Sequence, residues 1–472
     1  MRIYNSRSGK IEEFKVRKEE EEVGIYICGP TVYNKVHIGN LRTFIVGDMT
    51  RKVLKYKGYK VKYVMNITDI DDKIMKSLKE GAKMEEMKEY TEKYKNLFVK
   101  DMETLKMEKP QIEKVTDNMD SVIEMIKKIV KKEYGYKTRD GSVYYDITKD
   151  KNYGKGLKIK MNKMLTADQR EGSRQIFKND DLRSENDFVL WKPPHIDYPL
   201  LAWDSIYGKG RPGWHIECSA IAKKHLSHLH IHLGGEDLKF PHHTNEIAQC
   251  ECGGDDRFGD FWMHVKFVKL NGSKISKSFG NTPYLDDIIN LGYSPEVIRY
   301  YLLNKNYRKP LDFDIQHLDN SKNTLNLYYL SYAKLQLLIT LSSSYSQLEL
   351  PFDFNKLKND MDFSLSNDFD IESFFTHFTK LSTFIRNYSY SESLNTSHLN
   401  YIYDYLNHLD SILNIFVPDK FTIPVEIQKL ISSRELFRSQ SDFVQSDNIR
   451  SIINSHGYSI IDDIIGPIVF KL

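Results

Sequence analysis

The sequence predicts an α/β protein: a parallel sheet interrupted by a long insertion, followed by a region that is almost wholly helical. Three observations lead there. A strand, a glycine-bearing turn, a helix and a second strand follow one another between Val23 and Met65, the series that builds a βαβ unit with parallel strands. Strand signals return at residues 231–234 and 262–270 after a long charged interval, so the sheet is split. Beyond Asp319 the chain turns Leu-rich and helical.

Each element has a local cause. Val23-Gly24-Ile25-Tyr26-Ile27 is a short apolar run that stops at Cys28-Gly29-Pro30, a strand entering a loop. From about Asn40 to Tyr56 the residues Leu41, Ile45, Met49 and Val53 recur every fourth position, and Gly58 closes the stretch; this is an amphipathic helix with a C-terminal glycine. Val61, Tyr63 and Met65 alternate as in a second strand. Residues 71–132 are charge-rich and helical, and 141–146 read as a strand of a small α/β insertion. The polar stretch 168–187 reads as an exposed loop or hairpin. Ser-rich interruptions at 342–344 and 389–393 divide the helical region, and the last stretch carries a short helix over 441–456 and a turn at Gly457.

The totals exclude several classes. A chain of 472 residues exceeds one compact core, so about two to four domains are expected. A net charge of +3 argues against indiscriminate polyanion binding and leaves room for a local basic surface. No apolar run reaches the length of a membrane span, and the start lacks a signal-like apolar segment, so a cytoplasmic protein without membrane contact is expected. Four cysteines make no disulfide framework in so long a chain; they are buried thiols, nucleophiles or metal ligands.

Candidate chemistry sits at three places. His37-Ile38-Gly39-Asn40 occupies the turn from the first strand into its helix. Helix N-termini attract phosphate, Gly39 allows close approach, and His37 and Asn40 can donate hydrogen bonds; an ordinary helix start is the competing reading. Lys274-Ile275-Ser276-Lys277-Ser278 is a loop whose two lysines can neutralise a leaving pyrophosphate, or simply a solvated basic loop. Cys28, Cys218, His242 and Glu246 offer two thiolates, an imidazole and a carboxylate, the last two four apart on one helix face that Pro241 opens. They come from three distant segments, so separate buried cysteines compete with a metal site. Cys250 and Cys252 read as structural. His228, His230 and His232 alternate on one strand face that reads as solvated, with only His232 near the site.

The turn and the lysine loop together form the pattern of class I aminoacyl-tRNA synthetases. Longer strings are more specific: Tyr26-Ile27-Cys28-Gly29-Pro30-Thr31-Val32-Tyr33-Asn34, Asn66-Ile67-Thr68-Asp69-Ile70-Asp71-Asp72-Lys73, Gly213-Trp214-His215-Ile216-Glu217-Cys218-Ser219 and Gly234-Gly235-Glu236-Asp237-Leu238-Lys239-Phe240-Pro241-His242-His243. With them the chain resembles the cysteinyl-tRNA synthetase family almost end to end. The resemblance implies a Rossmann-type catalytic domain in two halves, 1–110 and 201–270, around a connective insertion, 111–200. It implies a stem-contact segment with the lysine loop (271–318), a tRNA-binding helical bundle (319–425) and a small anticodon-recognition domain (426–472).

It further implies one Zn²⁺ on Cys28, Cys218, His242 and Glu246, Mg²⁺ with ATP, and tRNA-Cys, ATP and L-cysteine as partners of a monomer. ATP would meet His37, Gly39, Asn40, Asp237, Lys274 and Lys277; Thr68, Trp214 and Asp237 would line the substrate pockets. His37, Asn40, Lys274 and Lys277 would stabilise charge as the cysteine carboxylate attacks the α-phosphate, before transfer to the terminal adenosine of tRNA. A thiol-binding zinc would separate cysteine from serine, which pocket size does poorly. The chain departs from the pattern at Asn40, where many class I enzymes have His, at Ile275 in place of Met, and in its tail. A mycothiol-type cysteine ligase is the nearest rival, but those proteins lack the region after Tyr307-Arg308-Lys309-Pro310. A silent RNA-binding paralogue would not need His37, Lys277 and all four ligands.

Overall fold

The computed structural model describes residues 1–16, 22–159, 181–252, 257–270, 283–341, 354–388, 396–416 and 420–472, with 273–274 described through their backbone. The chain forms two compact units: Met1–Asp287 with Tyr307–Asp312, and Ile288–Asn306 with Phe313–Leu472.

The first unit is built on a five-stranded sheet. Its strands are β1 (Val23–Ile27), β2 (Val61–Ile67), β3 (Gln111–Lys114), β4 (Ile231–Gly235) and β5 (Phe261–Val265), in the order β5-β4-β1-β2-β3. All pairings are parallel, with Ile25 opposite both Tyr63 and Ile231. Every residue of β1 and β5 is buried, as expected for strands covered on both faces, which need apolar runs rather than alternation. The chain runs outward from β1 through β2 to β3, then returns to the other side of β1 as β4 and β5. The switch point of the sheet therefore lies between β1 and β4, where ligands of open α/β sheets bind.

Helix α1 (Ile38–Tyr56) connects β1 to β2. Its C-cap is Lys57, and Gly58 follows with φ +86°, the left-handed position that glycine fills at a helix end. The expected stripe Leu41, Ile45, Met49 and Val53 is buried, but the polar back is buried too, including Arg42, Asp48, Arg51 and Lys52. Arg42 donates to the carbonyls of Lys266 and Lys309, each at 2.9 Å, and Asp48 accounts for the rest. It takes Lys52 at 2.9 Å, Arg51 at 3.4 Å and the backbone N–H of Glu108 at 2.9 Å, so the back of the helix is covered by neutralised charge.

Strand β3 pairs with β2, so the parallel sheet itself extends to Lys114, past residue 110. Gln111-Ile112-Glu113-Lys114 holds one apolar residue on an edge strand, so no alternation could announce it. The insertion begins with α2 (Met119–Lys131) and continues as a four-stranded antiparallel sheet of Gly135–Lys137, Val143–Tyr145, Phe188–Lys192 and Arg211–Pro212. Most of the polar stretch expected as a loop, residues 168–180, lies outside the described residues. Two further helices carry the site: α3 (Trp214–His225) after the insertion and α4 (His242–Glu251) after β4. Pro241 stands one position earlier than expected, as the N-cap of α4.

In the second unit the helices Pro295–Leu303, Ile315–Leu341, Phe354–Ser366, Ile371–Asn387 and Thr396–Leu413 pack around an aromatic core, with Tyr328 and Phe378 4.7 Å apart. The Ser-rich interruptions lie outside the described residues. The C-terminal portion holds two helices, Val425–Ser439 and Phe443–Ser455, and a hairpin of Tyr458–Asp463 with Gly466–Lys471. The hairpin turns the divergent tail into a packed strand, with Ile460, Ile468 and Phe470 buried. No helix among the described residues is long and apolar enough to cross a membrane.

Candidate active site

The C-terminal ends of β1 and β4 open into a cavity of about 460 Å³ lined by Cys28, His37, Gly39, Asn40, Trp214 and Asp237 among others. The turn after β1 forms one wall of it. His37 is the N-cap of α1, and its Nδ1 accepts from the N–H groups of Gly39 (3.1 Å) and Asn40 (3.3 Å). Asn40 Oδ1 accepts from His37 N–H at 3.3 Å, completing a capping box. Two first-turn N–H groups are thus taken by His37, not left open to a ligand as the sequence suggested. In exchange the tautomer is set: with Nδ1 accepting, the ring proton sits on Nε2, a donor. Gly39 makes room for this. A Cβ there would lie 2.9 Å from the His37 ring.

On the β4 side, Gly235 serves similarly. A Cβ at this position would meet Asp237 Oδ1 at 2.6 Å, so glycine lets that carboxylate fold back at the cavity edge. Thr68 does not line the cavity; it is buried behind Thr31, to which it is bridged. Its hydroxyl donates to Glu217 at 3.0 Å and accepts from Asn66 Nδ2 at 3.1 Å. The lysine loop begins as a hairpin in which Ser273–Lys274 pairs with Val268–Leu270, Lys274 opposite Lys269. Lys277 lies outside the described residues.

At the base of the cleft, Cys28, Cys218, His242 and Glu246 converge. Their ligand atoms all lie within 4.8 Å of one another, and all four residues are buried. Cys28 Sγ is 3.8 Å from Cys218 Sγ and 3.6 Å from Glu246 Oε1, while His242 Nε2 is 3.2 Å from the same oxygen. The last pair is the i, i+4 contact expected from the sequence. A second grouping shares Cys28 and Glu246 but uses His232 and His243. His232 Nε2–H donates to Glu246 Oε2 at 2.8 Å, so the nitrogen that faces Glu246 offers a metal no lone pair, and the first grouping is the better ligand set.

An outer layer of imidazoles, of which the sequence reading had placed only His232 near the site, surrounds the four. His242 Nδ1 meets His215 Nδ1 at 2.9 Å. His243 reaches Cys28 Sγ at 3.4 Å through Nε2, and its Nδ1 meets His264 Nε2 at 2.9 Å; His264 in turn contacts Ser6 Oγ at 2.8 Å. His232 stacks on Trp262, 4.3 Å between centroids. His230, expected on a solvated face, is buried and accepts the Gly24 N–H; of the three, only His228, three residues before β4, is exposed. Helical spacing could have found two of these residues, since His215 precedes Cys218 by three and His243 precedes Glu246 by three. Cys250 and Cys252 are buried away from this set, Cys252 donating to the Gln249 carbonyl.

Burial sets the charges. It pushes His215 down to about 3 and His242, His243 and His264 well below the usual imidazole range. All four are neutral near pH 7, and His242 keeps a lone pair to offer. Burial also raises the thiols of Cys28 and Cys218. Two thiols, a carboxylate and a neutral imidazole in one dry pocket make a poor anion cluster on their own. With a dication among them the balance reverses, because a bound metal deprotonates its thiols. The donor set therefore fits a metal ion.

Residues 14–323 match the family model described as tRNA synthetases class I (C) catalytic domain. The chain is 37% identical to the cysteine–tRNA ligase of Brachyspira hyodysenteriae over 98% of its own length and 97% of that protein. It is 35% identical to the cysteine–tRNA ligase of Methanococcus maripaludis, over 100% of its own length and 99% of that protein. Among solved structures it is similar to methionyl-tRNA synthetase of Mycobacterium tuberculosis bound by methionyl-adenylate, with a TM-score of 0.58 at 9% identity, covering 84% of this chain and 92% of that one. It is likewise similar to a LeuRS–tRNA–LeuAMS complex from Agrobacterium radiobacter, TM-score 0.60 at 8% identity, covering 85% of each chain. The distant structures share the fold; the full-length likenesses and the matched catalytic domain place the chain in the cysteine–tRNA ligase family of class I aminoacyl-tRNA synthetases.

Proposed function

We propose that the protein activates L-cysteine with ATP, forming cysteinyl-adenylate and pyrophosphate, and transfers cysteine to the terminal adenosine of tRNA-Cys. One observation carries the reading beyond its family: a buried set of two thiols, an imidazole and a carboxylate opens, through Cys28, into the same cavity as the His37 turn.

The ion is assigned as zinc. With bond lengths of about 2.3 Å to sulfur and about 2.0–2.1 Å to nitrogen or oxygen, a tetrahedron has edges of about 3.8 Å (S to S), about 3.6 Å (S to O) and about 3.4 Å (N to O). The separations in the structure are 3.8, 3.6 and 3.2 Å. When bound, zinc supplies a soft site for the substrate thiolate that a serine hydroxyl fills poorly.

The protein's own groups do the rest. His37 Nε2–H and Asn40 face the phosphates, joined by Lys274, Lys277 and a Mg²⁺ brought with ATP, where negative charge grows as the α-phosphate is attacked. Asp237 sits where the adenosine would lie, and Trp214 closes the cavity over the zinc pocket while packing on His242, 4.4 Å between centroids. Thr68 acts from behind this wall. The second unit supports tRNA as the acceptor over an amino sugar, because relatives named cysteine–tRNA ligase align through it to the end of the chain. A cytoplasmic monomer fits these parts.

The test has two readouts on one preparation: zinc content, and cysteine-dependent exchange of pyrophosphate into ATP followed by charging of tRNA-Cys. One zinc per chain, exchange with cysteine and not serine, and charged tRNA are expected. Adenylate formation without transfer to tRNA, or serine activated as well by the parent as by Cys218→Ala, would sink the proposal.

A further inference from the structure

Lys73 is a cation at the mouth of the cleft with no role in the chemistry above. It lines the cavity with Tyr33 and is itself exposed. Among the described residues it makes no salt bridge; its ammonium lies over the Tyr33 ring, 5.5 Å from the centroid. Asp71 feels the Lys73 charge without forming an ion pair with it, and the residues beside Lys73 have other partners. Asp71 caps the short helix Asp72–Met75 by accepting the Lys73 N–H at 2.8 Å. Asp72 is held by Lys192 at 3.0 Å and by Arg211, both from the sheet of the insertion. Two cations on Asp72 leave it no capacity to neutralise Lys73, and the backbone of Lys73 is pinned from both sides. The ammonium stands over Tyr33 at the wall of the cavity, where a ligand can reach it.

Position decides which ligand. The nucleotide of the first half-reaction belongs at the switch point, with His37 after β1 and Asp237 after β4. Lys73 follows β2, one strand farther out on the side of the insertion. A cation there faces the part of the cleft that an adenylate leaves open, where a second polyanionic substrate must enter to reach the reacting carbonyl. We propose that Lys73 binds a phosphate of the single-stranded 3′ end of tRNA, so that it serves the transfer half-reaction and not adenylate formation. The inference rests on the proposed function. Its shared chemistry is phosphate recognition by an ammonium, and the two sources to be told apart are tRNA and ATP.

Full-length protein carrying Lys73→Ala or Lys73→Arg separates them, because pyrophosphate exchange runs without tRNA whereas transfer from preformed adenylate requires it. Loss of one charge-assisted phosphate contact predicts a rise of about tenfold in KM for tRNA in Lys73→Ala. The slope of log affinity against log salt should become shallower by about 0.7, one single-strand phosphate. Lys73→Arg should recover most of both. An increase in KM for ATP during exchange that matches the loss in charging would assign Lys73 to ATP and overturn the proposal. Unchanged tRNA affinity and salt slope would make it a solvated lysine and overturn it too. Failure of the parent protein to exchange pyrophosphate with cysteine would instead refute the function on which the inference rests.

Discussion

His215 touches no substrate in this scheme, yet replacing it should weaken metal binding by a calculable amount. Its Nδ1 lies 2.9 Å from His242 Nδ1 in a fully buried contact. Only one proton fits between two facing nitrogens. If His242 gives its Nε2 lone pair to zinc, its proton sits on Nδ1 and His215 accepts it. His215→Phe keeps the ring and the edge contact to Phe188, 5.9 Å between centroids, but removes the acceptor. The Nδ1–H of His242 is then a buried donor without a partner, at a cost of about 1–3 kcal/mol. At about 1.4 kcal/mol per tenfold this is roughly 5- to 150-fold in zinc affinity, in line with about 10- to 100-fold for outer-shell partners of metal ligands. Competition against a chromogenic chelator measures it. His215 titrates only near 3, so the loss should be equal at pH 6 and pH 8, and His215→Gln, which retains an acceptor, should lose less. A zinc affinity for His215→Phe within threefold of the parent would refute the proton assignment and with it His242 Nε2 as the ligand atom.

The competing ligand sets make a second prediction: His242→Gln loses stoichiometric zinc, whereas His243→Gln retains it. The opposite pattern in metal analysis would transfer the site to the alternative grouping. At the phosphate turn, Gly39→Ala drives a Cβ to 2.9 Å from the His37 ring and should displace the Nε2–H donor. Exchange should fall by about tenfold or more, with about 1 kcal/mol lost from the cap; unchanged exchange would remove His37 from the phosphate site. Lys192 and Arg211 beside Asp72 outweigh its desolvation and hold its carboxyl down at about 2. Because the folded value is depressed below an unfolded value of about 3.9, this stabilisation is present above pH 4 and lost as pH falls from 4 to 2. Asp72→Asn should therefore cost about 2 kcal/mol at pH 7 by urea unfolding, and a gap that does not narrow below pH 4 would contradict the assignment.

What could be read in the sequence was what a single segment encodes. The β1–α1–β2 unit announces itself by an apolar run, a fourfold stripe and an alternating run, each complete within a few turns. The spacing alone puts His242 beside Glu246, because α4 by itself brings them to 3.2 Å. Cys28 and Cys218 stand beside them on ligand chemistry alone, with separate buried cysteines as the rival reading until the long strings of the family are added, since a thiol at the end of β1 and another on α3 meet only when the sheet closes. Strand β3 shows the reverse case: its pairing with β2 is made by backbone groups, and a short edge strand needs no apolar pattern to supply them. The buried back of α1 was hidden for a related reason, as polar residues read as solvent-facing until their partners at Asp48 and Glu108 are known.

The imidazoles mark a limit of another kind. His215, His232, His243 and His264 come from α3, β4, α4 and β5, and a histidine-rich strand is by itself better explained as a wet face. What overturns that explanation is the sheet itself, in which β4 pairs in parallel with both β1 and β5 and is buried on both faces. A strand of a parallel sheet covered by helices on both faces has no wet side, so its imidazole must find a partner, and the partners available to His232 are the carboxylate of Glu246 and the ring of Trp262. Topology, not spacing, therefore selects which histidines become the outer layer. The same logic bears on Lys73, whose string is legible from sequence but whose office depends on β2 lying one strand beyond the switch point. If exchange and transfer fail to separate in Lys73→Ala, strand order alone does not divide the cleft between its two substrates.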